Sequence, residues 1–289
     1  MKPQACQFIG CDKSYREADT VLFGAPYDST TSFRPGTRFG PSAMRMESFG
    51  IETYSPMQDK DLVDDTKVFD SGDLELPFGA PEPALKMIEE RSAQILEDGK
   101  RPFLLGGEHL VTLGAFRAVQ KKYPNVVIIH FDAHADLRED YLGNPLSHAC
   151  VLRRIHDLVG DGRIFQFGIR SGTREEFAFM KSGHVKTEPF TSATLAKVVK
   201  SIPKKTPLYL TIDMDVLDPS EFPGTGTQEA GGFRYPQLVE DVRLICSRLN
   251  VVALDNVELN PGLDSTGRST ALACKFLREC LLSLTNKGE

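Results

Sequence analysis

Six short apolar runs constrain the fold of this chain more than any other feature: Val21 to Phe23, Pro102 to Leu105, Val126 to Phe131, Ile164 to Phe167, Leu208 to Ile212 and Val251 to Leu254. A strand with one wet face alternates apolar and polar residues, whereas a continuous run reads as a strand buried on both faces. Amphipathic helical patterns separate many of the runs, as at Ala84 to Glu97, Val111 to Lys122 and Tyr235 to Leu249, and another closes the chain at Ser269 to Leu284. Buried strands alternating with helices predict an α/β protein with a parallel sheet covered on both sides. The 289 residues allow one large domain or two small ones, and no linker, low-complexity tract or internal repeat marks a division.

Three of the runs end in residues that ligate metals. His130 to Leu137 reads HFDAHADL, and Leu210 to Pro219 reads LTIDMDVLDP. In extended chain, residues two apart point the same way. That parity predicts convergence of Asp132, His134 and Asp136 at one strand end, and of Asp213 and Asp215 at another. After Pro102 to Leu105 comes Gly106-Gly107-Glu108-His109. The glycine pair permits a tight turn with close backbone approach, and His109 falls where a helix begins. In open sheets of this class, ligands bind beyond the carboxyl ends of the strands. Four clustered carboxylates repel one another unless cations lie between them. Four Asp and two imidazoles match two divalent ions, and the mixed oxygen and nitrogen set suits Mn²⁺ better than Zn²⁺ or Ca²⁺. Such a pair is the hallmark of two-metal hydrolysis.

These motifs resemble the arginase/agmatinase (ureohydrolase) family, whose pattern is GG[DE]H, DAHxD and DxDxxDP. The likeness extends from Pro26 to Pro41 (PYDSTTSFRPGTRFGP), through Phe167 to Gly172 (FGIRSG) and Pro223 to Gly232 (PGTGTQEAGG), to Asp255 to Pro261 (DNVELNP). Within the family the chain is most similar to agmatinases. Ala135 and Leu110 depart from the common Thr and Ser, at positions that offer no metal ligand. Gln228-Glu229-Ala230 replaces a stretch that often holds Pro, which affects the shape of one active-site loop.

The resemblance implies a three-layer α/β/α arginase-like fold with a central parallel sheet, forming a single domain over 1–289. It implies hydrolysis of agmatine to putrescine and urea, as in polyamine biosynthesis, by a homo-trimer or homo-hexamer with two Mn²⁺ per subunit. One ion would be held by His109, Asp132, Asp136 and Asp213, the other by Asp132, His134, Asp213 and Asp215. Glu258, after the strand-like run VVALDNVE, would pair with the guanidinium. His148 would pass a proton to the leaving amine, with Asp136 as the second candidate. Guanidinobutyrase and arginase are the alternative activities. In place of the Asn/Thr/Ser-rich loop with which arginases grip the amino-acid head, Glu139 and Asp140 follow the metal motif, and acids there suit a cationic tail. A catalytically silent relative should lack at least one of the six ligands, and this chain carries them all. A deacetylase of related fold should lack the paired aspartate motifs.

The remaining expectations are plainer. His130 reads as a core residue or a support for a metal ligand. Asp218, before Pro219, reads as a turn residue. His156 and His184 show no partner pattern. The Gly24 to Pro41 loop lacks a phosphate-loop pattern and reads as a border of the active-site mouth or a subunit contact. Arg170 reads as functional or as a structural arginine at an interface. A net charge of −6, from 34 basic and 40 acidic residues, argues against nucleic-acid and anionic-membrane partners. Six scattered Cys without a CxxC pair, and a start without a signal-peptide core, point to free thiols in the cytoplasm.

Overall fold

In this computed structural model the described residues are Met1 and 6–285, so the extremes of the expected 1–289 domain lie outside them. Ten strands are found among these residues: β1 (Thr20–Ala25), β2 (Tyr54–Ser55), β3 (Lys60–Asp61), β4 (Val68–Asp73), β5 (Arg101–Gly106), β6 (Val127–Phe131), β7 (Ile164–Ile169), β8 (Lys186–Pro189), β9 (Pro207–Asp213) and β10 (Asn250–Val257). The helices are α1 (Gly40–Glu47), α2 (Leu62–Asp65), α3 (Pro81–Glu97), α4 (Val111–Lys122), α5 (Val151–Val159), α6 (Arg174–Lys181), α7 (Leu195–Ser201), α8 (Tyr235–Arg248) and α9 (Arg268–Ser283). β2 and β3 form a small antiparallel hairpin. The other strands make one sheet in the order β4-β1-β5-β10-β9-β6-β7-β8, and every pairing in it is parallel.

Each apolar run of the sequence lies in one of the six strands away from the sheet edges. Alternation places Leu208, Leu210 and Ile212 of β9 in one core and Tyr209 in the other. The first core packs against α1, α7, α8 and α9, the second against α3, α4 and α5. This is the three-layer arrangement that buries a parallel sheet on both faces. Pro102 enters β5 at its second residue, before the pairing with β10 begins at Phe103, so its missing N–H breaks no bond on that side.

The fold positions the site through sheet order. His109, Asp132 to Asp136, Asp213 to Asp215 and Glu258 follow β5, β6, β9 and β10, and these four are neighbours at the centre of the sheet. Four separated stretches of sequence therefore arrive side by side at one end of it.

Candidate metal centre

β6 ends at Phe131 and β9 at Asp213, so the acidic motifs lie mostly beyond the strands. Extended parity therefore does not gather them, contrary to the expectation from spacing. The chain turns instead. Asp136 adopts a left-handed φ of 52°, and Asp215 sits in a short 3-10 turn, Met214–Val216. Backbone N–H groups fix the carboxylates: His134 N–H donates to Asp132 Oδ1 (2.5 Å), Asp215 N–H to Asp213 Oδ1 (2.8 Å) and Ala133 N–H to Asp215 Oδ1 (3.0 Å).

The remaining oxygens face the imidazoles. His109 Nδ1 lies 3.0 Å from Asp132 Oδ2, 3.2 Å from Asp136 Oδ2 and 3.4 Å from Asp213 Oδ2. His134 Nδ1 lies 2.9 Å from Asp215 Oδ2 and 3.5 Å from Asp132 Oδ1. Asp132 thus offers one oxygen to each group. All six candidate ligands come together, and all but His134 are buried.

The tautomer of His109 follows from its support. Thr211 donates its hydroxyl proton to Asp255 Oδ1 (2.6 Å), so its oxygen accepts from His109 Nε2–H (2.9 Å). Tyr209 also donates to Asp255 (2.6 Å). The lone pair of Nδ1 is then aimed at three carboxylate oxygens. Nδ1 and Asp215 Oδ2 are both buried without a hydrogen-bond partner. Lone pairs facing lone pairs in a buried pocket call for positive charge between them. The residues fit a pair of divalent cations.

The electrostatics agree. Burial, then the charges of Asp215 and Asp132, push the Asp213 carboxyl well above the usual carboxylate range. Burial opposes charge on His109, yet Asp132, Asp136 and Asp213 raise its pKa well above the ordinary value. Both shifts register the same anionic pocket seeking a cation.

His130 supports Asp132 from below. Gln166 Nε2 donates to His130 Nδ1 (3.1 Å), which leaves the proton on Nε2, 2.8 Å from Asp132 Oδ2. A ligand braced by a second residue is common in metal sites.

Glu258 follows β10 with φ 67°, a costly conformation for a non-glycine residue. Its Oε1 accepts from His109 N–H (2.8 Å) and lies 3.3 Å from His148 Nδ1. Ser32 N–H donates to His148 Nε2 (3.1 Å), so that nitrogen is an acceptor and the ring carries its proton on Nδ1, toward Glu258. Against burial, Glu258 first, then Asp136 and Glu108, push the His148 pKa up to about 9. When the ring takes up a second proton, Nε2–H has Ser32 Oγ as its acceptor 2.9 Å away, so the charged form that can protonate a leaving amine also fits this site.

Glu108 carries no ligand role in the sequence reading, yet it holds this corner together. It accepts from Thr30 N–H (2.9 Å), Thr30 Oγ1 (2.5 Å) and Thr31 Oγ1 (3.1 Å), and Thr30 Oγ1 accepts from His148 N–H (3.1 Å). Burial raises its carboxyl to about 7. The turn it occupies needs Gly107, where a Cβ would lie 2.0 Å from the Tyr27 carbonyl oxygen. The Gly24 to Pro41 loop therefore does border the mouth, through Ser32, Phe33 and Arg34.

A cavity of about 520 Å³ opens over the cluster, with His134, Asp136, His148, Asp213, Asp215 and Glu258 in its wall. Glu139 and Asp140 do not line it, contrary to expectation. Glu139 faces outward, paired with Arg153 (2.5 Å) and Arg154 (3.6 Å), and Asp140 caps Gly143 N–H (2.7 Å). The acids at the mouth are Glu176 and Glu229. Glu176 is committed to the Leu137 and Thr173 N–H groups at 2.8 and 2.7 Å. Glu229 Oε1 lies 3.8 Å from His134 Nε2. Arg170 donates to the carbonyls of Gly168, Asp215 and Glu229, among others, stapling the 215–217 turn to the Glu229 loop. Asp218 accepts from Ser220, Gly231 and Gly232 N–H groups, the turn role expected of it.

Residues 18–283 match the family described as the Arginase family. The chain belongs to this family of metal-dependent hydrolases acting on guanidino compounds. It is 47% identical over 278 residues to an agmatinase of Bacillus subtilis (strain 168), covering 95% of each chain. It is 36% identical over 276 residues to a guanidinobutyrase of Pseudomonas aeruginosa, covering 92% of this chain and 86% of that one. A crystal structure from Clostridium difficile superposes with a TM-score of 0.91 at 49% identity, covering 94% of this chain and 99% of that one.

Proposed function

We propose that the chain is an agmatinase, hydrolysing agmatine to putrescine and urea in polyamine biosynthesis. The observation that carries this reading is the His109 lone pair turned onto three buried carboxylates beneath a cavity that also holds Glu258 and His148. The likeness to the Bacillus subtilis agmatinase supports the choice of substrate. His109, Asp132, Asp136 and Asp213 would hold one Mn²⁺, and Asp132, His134, Asp213 and Asp215 the other. A pair of ions held there would supply the Lewis acidity that makes a water nucleophilic near neutral pH.

The side chains supply the rest. Glu258 takes the guanidinium by paired charge-assisted hydrogen bonds. His148 directs its Nδ1 proton at the same carboxylate, so a guanidinium nitrogen held by Glu258 lies beside a proton donor. That placement suits protonation of the leaving amine, with Asp136 the alternative donor. The substrate tail then points to the mouth. Arg34 stacks on Phe33 and Arg138 on Tyr141, whereas the partly exposed Glu229 carboxylate stands ready for an ammonium tail. The same two arginines favour guanidinobutyrate as the second reading, because its tail is a carboxylate.

The continuous eight-stranded sheet supports a single domain. No helix among the described residues is long and apolar enough to cross a membrane. The family likeness supports a homo-trimer or homo-hexamer working in the cytoplasm. The test is urea release by Mn²⁺-loaded protein from agmatine, guanidinobutyrate and arginine. Agmatine should lead by at least about tenfold in kcat/KM, and Glu229→Gln should lower that lead. Guanidinobutyrate or arginine hydrolysed as fast as agmatine would overturn the assignment.

A further inference from the structure

We propose a second metal site, distinct from the catalytic centre, formed by His156, Asp161 and His184. His156 closes the last turn of α5, Asp161 lies in the turn before β7, and His184 precedes β8. They therefore gather at the amino ends of the strands, a strand length of roughly 20 Å from the catalytic cluster. Asp161 Oδ1 lies 2.8 Å from both His156 Nε2 and His184 Nδ1. The three potential ligand atoms lie within 4.8 Å of one another.

The surroundings hold this geometry in place. Gly160 and Gly162 flank Asp161 with φ of 75° and 74°, and Gly162 N–H donates to the His184 carbonyl (3.2 Å). Phe179 of α6 stacks on the His184 ring with centroids 4.3 Å apart, and meets the His156 ring edge-on at 4.9 Å. Both imidazoles are thus oriented by packing before any ion arrives. The Asp161 side chain is 64% exposed, which leaves the open side for water to complete a coordination shell. His156 sits at a helix C-terminus, where the backbone dipole favours positive charge.

Two imidazoles and one carboxylate suit a borderline transition ion such as Zn²⁺ better than Mn²⁺. Both rings bind as neutral imidazoles. Each turns its nitrogen lone pair to the ion and keeps its single proton on the other ring nitrogen. An ion there would clip the end of α5 to the segment entering β8.

The test uses the full chain, loaded with Mn²⁺ and dialysed against Zn²⁺, with metal content and thermal melting as readouts. Zn²⁺ also enters catalytic centres, so the decisive quantity is the difference between wild type and His184→Ala. Wild type should bind one more Zn²⁺ per chain, with affinity lowered at least about 100-fold in the variant, beyond what loss of a supporting partner costs. Zn²⁺ should raise the Tm of wild type more than that of the variant. His184→Gln and Asp161→Asn provide the same comparison should His184→Ala fail to fold. Equal Zn²⁺ content in wild type and all three variants, even at millimolar Zn²⁺, would overturn the proposal and leave a hydrogen-bonded turn.

Discussion

The two ends of the sheet each gather imidazoles around aspartate, and they differ in what holds them. At the carboxyl end, the Asp132 and Asp215 carboxylates accept backbone N–H bonds, His109 is fixed by Thr211, and Asp132 is braced by His130 and Gln166. The cluster is buried apart from His134, and two residues of the site, Asp136 and Glu258, hold left-handed backbone. At the amino end, Asp161 is exposed and meets two rings that rest on one phenylalanine. Chemistry needs the first kind of site, because removing water from ordered charges makes every electrostatic interaction stronger. A site that only binds can use the second.

The contrast breaks most visibly at the bridging acid. Asp132→Ala removes an oxygen from each half of the cluster and strands His109 and His130. We predict loss of activity on the order of 10³-fold or more, with loss of both ions, because the attacking water depends on them for its acidity. Chelation of wild type should have the same effect, and Mn²⁺ should reverse it. Substantial urea release by protein that elemental analysis finds free of metal would refute the two-metal reading.

His148 comes next. It sits beside the cluster and ligates nothing in the proposed scheme, so its loss should affect turnover and spare metal content. His148→Ala is expected to lower kcat by about 10²-fold with a smaller change in KM. An unchanged kcat would assign the proton transfer to Asp136. A loss of metal would make His148 part of the cage.

The sequence disclosed the centre because its residues are bunched in short motifs. It also disclosed the six inner strands, because burial on both faces requires continuous apolar runs. The edge strands escaped for the opposite reason. β4 reads VFDSGD and is nevertheless mostly buried, since Asp70 is satisfied by Arg45 (2.8 Å) and by the Phe8 and Gly72 N–H groups. β8 reads KTEP and is largely exposed, with no apolar run to find. The supports of the centre were also hidden. Thr211 meets His109 across 102 residues, and Ser32 meets His148 across 116. No local pattern encodes such pairs. Proximity in sequence misled at Glu139 and Asp140, which follow the metal motif but turn away from the cavity. The His156 and His184 pairing was invisible for a similar reason: they stand 28 positions apart, and the contact of Asp161 with His184 spans β7 and α6.

The supports give a finer test of the contrast. Thr211→Val keeps the shape of the side chain but removes the acceptor for His109 Nε2–H and the donor to Asp255. The ring is then free to carry its proton on Nδ1, the nitrogen that faces the carboxylates. Metal affinity should fall by about 10- to 100-fold, with activity restored at high Mn²⁺. Unchanged affinity would mean that packing alone fixes the tautomer.

The smallest effect belongs to the exposed cluster. Asp161→Asn keeps one carbonyl oxygen, which can replace the Oδ1 that both imidazoles share, but removes the charge. Exposed ion pairs contribute little, so Tm in metal-free buffer should change by no more than about 2 °C. The Mn²⁺-dependent activity should be unchanged, because the cluster stands a strand length from the cavity. Hydrogen bonds from His184 and His156 hold the Asp161 carboxyl below the usual carboxylate range. A depressed carboxyl stabilises the fold above its unfolded pKa of about 4, and that stabilisation disappears as pH falls through the folded value. Any difference in Tm between wild type and Asp161→Asn should therefore vanish in acid, once the carboxyl is protonated. Added Zn²⁺ should widen it at neutral pH, since only the wild-type carboxylate completes the proposed ligand set. A Tm difference that persists once the Asp161 carboxyl is fully protonated would contradict this account of the cluster.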